Sequence, residues 1–333
     1  MAMMASHTSN HIAVIIINYN TARLSLEAIA SVLEKSIRRG VHIHLLDNAS
    51  PHGDATLLET ELMRRGWDGI VTLHAQDENI GFGRGNNVVF ESIIASGQIP
   101  EYVFLLNPDA RVENDVIDVL ADFLDSNIDA KAVGARIEKP GGQPATSAFR
   151  FPGIISTFAS SLSLGLVSRL LKRWQVPLDP QISSGKVDWV AGAAVMFRFD
   201  AIRNVNFFDP TYFLYYEEVD LMRRLSLNGG QIWYVAEAHV VHIEGASTEV
   251  RSGEVMRKRL PAYWYDSWRH YFVSNHGRAV ALVAAGAWIL GAVGNDMLSL
   301  LPGRSRNSPA EFYQDFFDMA LRPLLGLKAR RYG

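Results

Sequence analysis

Cysteine is absent from the 333 residues. That removes disulfides, thiolate nucleophiles and thiolate-bound zinc, and leaves carboxylates, histidines or substrate oxygens to hold any metal. An excess of one charge is also lacking. The 32 Lys and Arg stand against 35 Asp and Glu, a formal net charge of -3, so nothing in the balance favours nucleic acid as a partner. Internal repeats and low-complexity tracts are missing as well. The start, "MAMMASHTSNH", has no basic segment followed by a long apolar one, so no secretory leader is expected there. Residues 1–11 read as a flexible tail and the chain as cytoplasmic. What is present is an ordinary folded composition, 48% hydrophobic and 20% charged. The length suits one large α/β domain with an appendage, or two smaller domains.

The run "IAVIIIN" (12–18) is β-branched and continuous, as expected of a strand buried on both faces of a parallel sheet. Thr21 is placed to cap a helix through "ARLSLEAIASVLEKS". A second strand, "VHIHLLDN" (41–48), a helix near 55–65 and a third strand, "GIVTLHA", continue the alternation. A glycine-rich loop, "ENIGFGRGNN", then leads to a helix from about Asn87, and "EYVFLLNPDARV" supplies a strand that stops at Asn107, Pro108 and Asp109. Such an order predicts a mostly parallel, doubly wound sheet that binds its ligand at the carboxyl ends of the strands. Asn18, Tyr19, Asn20 and Asp47 all fall at such ends. The stretch 141–186 is irregular and reads as an excursion that covers or flanks the site.

The loop "GFGRGNN" also invites comparison with a dinucleotide fingerprint. Its third glycine comes one residue early for G-x-G-x-x-G, and it follows the third strand rather than the first, so a nicotinamide oxidoreductase is disfavoured. Four ordered segments instead resemble the family 2 glycosyltransferases of the GT-A fold, in their bacterial rhamnosyltransferase-like branch. They are "VIIINYN", "LLDNAS", "ENIGFGRGNN…FLLNPDA" and "VAGAAVMFR…FLYYEEVDLMRRL…VVHIEGAS", covering about 12–248. The resemblance implies a GT-A domain over 12–248 and a helical extension over 249–333. It also implies a nucleotide-sugar donor, dTDP- or UDP-linked, held by Asn18, Tyr19, Asn20, Asp47, Asn79, Gly81, Arg84, Asn86 and Asn107. "NPD" occupies the place of the family's D-x-D. Asp109 is then the natural ligand of a divalent cation, and His242, with Gly245 and Ser247 at family spacing, completes that shell or binds diphosphate. A histidine ligand tilts the choice from Mg²⁺ towards Mn²⁺. Asn107 replaces an acidic first position, which lowers the expected metal affinity.

The segment "YYEEVDLMRRL" sets three carboxylates within four residues. On a helix Glu217 and Asp220 share one face while Glu218 points elsewhere. The resemblance places the catalytic base at Glu218, where the family usually has Asp, with Glu217, Asp220, Trp189 and Gly192 lining the acceptor side. Acids in a first helical turn are also favoured by the macrodipole alone, so Asp220 reads equally as structural. An inverting transfer needs one base and a stabilised leaving diphosphate, and no second carboxylate.

The last third of the chain changes character. "LPAYWYDSWRHYFVSNHGR" is aromatic and basic, and residues 279–294 carry no charge. Sixteen residues fall short of the roughly 20 that cross a bilayer, so a membrane-interface element and a buried helix are both consistent with this stretch. The expected activity is transfer of a sugar, L-rhamnose for example, to a polyprenyl-diphosphate-linked saccharide at the inner face of the plasma membrane. A catalytically inactive nucleotide-sugar-binding scaffold of the same fold is the alternative.

Overall fold

The computed structural model describes residues 11–36, 38–243 and 258–331. Of the expected tail over 1–11, residues 1–10 lie outside the described residues, as do Gly245, Ser247 and the boundary near 248, while His11 belongs to the first strand and not to a tail.

The first half alternates as the hydrophobic pattern demands. β1 (His11–Asn18), α1 (Ala22–Lys35), β2 (Gly40–Asp47), α2 (Asp54–Arg65), β3 (Val71–Ala75), α3 (Phe82–Ser96) and β4 (Tyr102–Leu106) form a unit in which β3, β2, β1 and β4 lie side by side, all parallel. The residues of β1 from Ile12 to Asn18 are all buried, because helices cover both faces of the sheet. Each such isoleucine contributes about 1.5–3 kcal/mol by leaving water.

Beyond β4 the sheet becomes mixed. β5 (Ala110–Val112), α4 (Val116–Ser126), β6 (Ala130–Glu138) and the two-residue β7 (Ala148–Phe149) follow. The excursion then holds α5 (Ile154–Leu162) and α6 (Gly165–Leu170). After it come β8 (Gly185–Val187), β9 (Trp189–Val190), β10 (Ala194–Arg198), α7 (Phe199–Asn204), α8 (Glu217–Leu227) and β11 (Gln231–His242). β10 runs antiparallel between β4 and β6, whereas β6 and β11 are parallel. One apolar cluster joins the sheet to α1, α2 and α4, and the other joins it to α3, α7, α8 and the C-terminal helices.

Two local expectations differ from the fold. Thr21 stands at the head of α1 but does not cap it; its hydroxyl donates to Asn18 Oδ1 at 3.0 Å, and Asp54 Oδ2 takes the Ala22 N–H instead. The glycine-rich stretch is not a loop up to Asn87, because α3 begins at Phe82. Gly83 and Gly85 are helical, and a Cβ at Gly83 would stand 3.2 Å from Phe208. Gly81 is the position that requires glycine: its φ is +85°, and a Cβ there would fall 2.0 Å from the Phe213 carbonyl oxygen.

The C-terminal region packs on this frame. α9 (Ala262–Leu298) breaks its helical path at Gly277, where φ is 82°. Its first half buries Tyr265, Trp268, Tyr271 and Phe272 against the domain, so the aromatic stretch is core. Its second half packs on α5, with Gly291 and Gly294 against Ser161 and Leu162. α10 (Phe312–Phe316) closes the aromatic cluster around Trp288.

Candidate active site

At the carboxyl ends of the parallel strands lies a cavity of about 230 Å³ whose lining includes Tyr19, Asn48, Asn79, Gly81, Asn107, Asp109 and His242. Strand register explains the meeting of the last two. β5 pairs antiparallel with β11 so that Ala110 lies opposite His242, which sets Asp109 Oδ1 3.0 Å from His242 Nε2. The Ile243 N–H donates to the Asp109 carbonyl at 3.0 Å and fixes that end. Asn107 Nδ2 lies 3.4 Å from the same imidazole nitrogen.

An oxygen donor and an imidazole nitrogen on one cavity wall fit a divalent cation of intermediate softness, Mn²⁺ better than Mg²⁺. No cluster of three metal-binding side chains occurs among the described residues. The pair fits a cation only if the donor diphosphate and water supply the remaining ligands.

The other residues expected at the donor divide by burial. Asn18 is fully buried, with Nδ2 donating to Asp47 Oδ1 at 2.7 Å and Oδ1 accepting from Thr21 and Ser25. Asp47 is 2% exposed and also takes the Ser50 hydroxyl proton at 2.6 Å. These two hold the ends of β1 and β2 together and are absent from the cavity lining. Asn20 is exposed in the left-handed region, φ 57°, with its N–H on Ser50 Oγ. Asn86 is buried in α3, donating to the Phe82 carbonyl. Arg84 points away, its Nε on the Pro210 carbonyl at 2.5 Å. Asn48 is the lining residue that sequence reasoning passed over, although it stands within "LLDNAS". Its Nδ2 donates to Asn79 Oδ1 at 3.0 Å and to the Gly81 carbonyl at 3.2 Å, and its Oδ1 takes the Ile80 N–H.

A second cavity, about 480 Å³, contains Glu218 and Trp189 with Tyr215, Tyr216, Trp264, Trp268 and Trp288 in its walls, and the hydroxyls of Ser156, Thr157, Ser160 and Ser161 along α5. Two chain segments tie it to the first. Phe213 and Leu214 line the strand-end cavity while Tyr215 and Tyr216 line the aromatic one. Gly192 lies against Glu218, a Cβ there being 3.7 Å from the Glu218 Cβ, and the next carbonyl, of Ala193, accepts the Asn107 N–H at 2.9 Å.

Both tyrosines sit in the left-handed region with φ 69°, a conformation that costs about 1–3 kcal/mol at each non-glycine residue. Several bonds hold this segment. The Phe82 N–H donates to Phe213 O at 3.1 Å, Ser267 Oγ to Leu214 O at 2.9 Å, and the Asp220 N–H to Tyr216 O at 2.9 Å. The strained turn delivers α8 with Glu218 and Val219 at the aromatic cavity, while Glu217, expected to line the site, is in neither cavity wall and packs against Gly83 of α3.

The three acids separate as helical geometry requires. Asp220 is buried, paired with Arg224 at 2.7 Å and bonded by Asn275 Nδ2 at 2.9 Å, while Arg224 also holds the Val205 and Phe207 carbonyls. This network clamps α8 between the loop before it and α9. Glu217 is 4% exposed, and its Oε2 has no hydrogen-bond partner. Glu218 is half-buried, lines the aromatic cavity and also has an unpartnered Oε2. Burial, with the adjacent Glu218 charge adding to it, raises the Glu217 pKa well above the ordinary carboxylate value, and burial raises that of Glu218. The upward shift is the larger at Glu217, and Glu218, on the cavity wall, is made more basic than an ordinary glutamate.

Residues 13–175 match the family model described as Glycosyl transferase family 2. Rhamnosyltransferase WbbL of Escherichia coli (strain K12) is 30% identical over 165 residues, which is 49% of this chain and 60% of that protein. The match therefore spans less than two thirds of that relative. An N-acetylglucosaminyl-diphospho-decaprenol L-rhamnosyltransferase of Mycobacterium tuberculosis is 28% identical over 239 residues, 67% of this chain and 73% of that one. Among solved structures, GalNAc-T7 with UDP, GalNAc and Mn²⁺ superposes with a TM-score of 0.58 at 13% identity, covering 95% of this chain and 56% of that one. The mannosyltransferase PcManGT from Pyrobaculum calidifontis, in complex with GDP-Man and Mn²⁺, gives 0.54 at 14% identity over 95% and 82%. At these identities the structural likeness concerns the fold, the GT-A arrangement of a mixed α/β sheet.

Proposed function

We propose that this chain, whose residues 13–175 match the family 2 glycosyltransferase model, moves a sugar from a nucleotide-diphosphate donor to a polyprenyl-diphosphate-linked saccharide, with inversion at the anomeric carbon. L-Rhamnose on dTDP or UDP is the proposed donor, in keeping with the rhamnosyltransferases it resembles. The place of action is the cytoplasmic face of the membrane, in cell-surface polysaccharide assembly. The observation that carries this reading is that two cavities share the wall segment 213–216, with Asp109 and His242 lining one and Glu218 the other.

In the proposed reaction Glu218 accepts the proton of the acceptor hydroxyl as its oxygen bonds to the anomeric carbon. The bond from that carbon to the diphosphate oxygen breaks on the opposite side, and the diphosphate leaves with the electron pair. Burial and the Glu218 charge disfavour a second charge at Glu217 beside the base. Asp109 and His242 would hold a divalent cation, which supplies charge to the leaving diphosphate. Asn48 and Asn79 orient the loop into Gly81, where only backbone faces the donor. Asp220, Arg224 and Asn275 keep α8 in register with the cavity.

The test is a melting-temperature screen of nucleotide sugars with and without Mn²⁺, followed by product analysis with the donor that stabilises the fold. The expected product carries an anomeric configuration opposite to the donor's, and Asp109→Ala abolishes both the Mn²⁺ dependence and most of the turnover. A protein that binds a nucleotide sugar but never releases or transfers the sugar is a scaffold, and the reading fails.

A further inference from the structure

The outer face of α9 beyond its Gly277 break is uncovered. Val283, Leu290, Val293 and Met297 are exposed, at spacings that put them in one stripe, and the stripe continues into Leu300, 85% exposed, and Leu301. Beside its end lies α6, a helix without a single buried residue that exposes Leu166 and Leu170. The junction is held by hydrogen bonds: Asn295 Nδ2 to the Leu162 carbonyl at 3.2 Å, and Asn307 Nδ2 to Ser163 Oγ at 2.9 Å. Exposed apolar surface of this extent marks an interaction face.

Charge identifies the partner. Arg169, Lys172, Arg173 and Arg304, in the same two stretches of chain as these leucines, are exposed, and among the described residues none of them is paired with a carboxylate. Arg173 lies over the Trp174 ring at 3.7 Å. No Asp or Glu occurs from residue 139 to 178, or from 297 to 310. A leucine surface with unpaired cations in the same stretches of chain, and whose nearest carboxylate in sequence, Asp296, is neutralised by Arg306, is suited to a bilayer rich in anionic headgroups. A protein partner of ordinary mixed charge would be met by acids as well as bases.

We infer that the outer stripe of α9, the Leu300 and Leu301 turn and α6 form one docking face for an anionic lipid surface. The inference deepens the proposed function and rests on it for its purpose. α5 and α9, which wall the aromatic cavity beside Glu218, are the same elements that run into this face. A lipid-linked acceptor lying in the bilayer would thus meet the cavity along their length. Docking is peripheral, because the inner faces of both helices are committed to the fold.

The experiment is flotation of the full chain with vesicles of phosphatidylcholine containing phosphatidylglycerol, and with phosphatidylcholine alone. The parent protein is expected to float with the anionic vesicles and not with the neutral ones. Lys172→Gln with Arg173→Gln should lower partitioning by about 30-fold, and Met297→Glu with Leu300→Glu by on the order of 100-fold. Both doubles should keep the melting-temperature rise on donor binding, which shows an intact fold. Equal flotation of parent and variants overturns the inference, as does a parent that never floats. A parent that instead forms a dimer split by Met297→Glu with Leu300→Glu assigns the face to a second copy, and also overturns it. Transfer to a water-soluble acceptor without flotation removes docking alone; flotation without any transfer removes the enzymatic reading alone.

Discussion

The strand-end cavity, proposed to hold the donor, and the aromatic cavity are joined by the segment 213–216, yet they are built in different ways. The donor cavity takes most of its wall from short polar segments that follow strands: Tyr19 after β1, Asn48 after β2, Asn79 and Gly81 after β3, Asn107 and Asp109 after β4. The aromatic cavity takes Glu218 from α8, Trp189 from β9, serines from α5 and three tryptophans from α9, segments far apart in the chain. Strand ends in a parallel sheet converge by topology, so polar residues placed there meet without further instruction. Helices that cover a sheet converge only through their packing, which many residues share. One cavity is written locally and the other is assembled.

The sharpest break between the two is at Glu218. Glu218→Gln should lower transfer by about 10³-fold while leaving the affinity for nucleotide sugar unchanged; near-normal turnover would move the base to another group. Next in size is Gly81→Ala, which places a Cβ on the Phe213 carbonyl. It should cost about 2–3 kcal/mol of stability and weaken the donor, because the Phe213 segment must retreat from α3. Unchanged urea midpoints would show that the turn is looser than its geometry implies. Trp288→Leu, at the centre of the aromatic cluster, should raise KM for the acceptor about tenfold with the donor Kd held. An equal effect on the donor would mean that the cavities are not separable.

The smallest effect is a slope. Burial and the Glu218 charge raise the Glu217 pKa, so above the ordinary glutamate value the folded protein keeps a proton that the unfolded chain has released. Stability therefore falls as pH rises through that window. Glu217→Gln should flatten most of this fall, read as urea midpoints from pH 5 to 8, and leave the ascending limb of the activity profile in place. A slope that persists undiminished would show that Glu217 does not hold the proton.

Much of the donor half was legible in advance. The β-branched run of β1 and the polar residues at strand ends pointed to the crevice that Tyr19 lines, and the family resemblance added Asn79, Asn107 and Asp109, which line the same cavity. Arg84 and Asn18 show the limit of that reasoning. Both stand in motifs, but Arg84 is turned outward onto the Pro210 carbonyl and Asn18 is consumed by Asp47, Thr21 and Ser25. Motif membership locates a backbone position, while the nearest available hydrogen-bond partner decides where the side chain goes. The tryptophans of α9 were visible as an aromatic stretch, but nothing in their spacing distinguishes a ring in the core from one in a cavity wall.

By itself, the sequence determined that the chain is an α/β domain, that polar groups gather at its strand ends, and that any metal is held by oxygen or imidazole, since local periodicity and residue chemistry suffice for each. Tertiary structure alone decided that Ala110 pairs opposite His242 and so brings Asp109 to the imidazole. It also decided that two left-handed tyrosines present Glu218 rather than Asp220, and that α9 gives one face to the aromatic core and leaves the other bare. These outcomes depend on strand register, on strain held by distant hydrogen bonds and on competition for burial. Each is a property of contacts between segments far apart in the chain, and no local pattern specifies them.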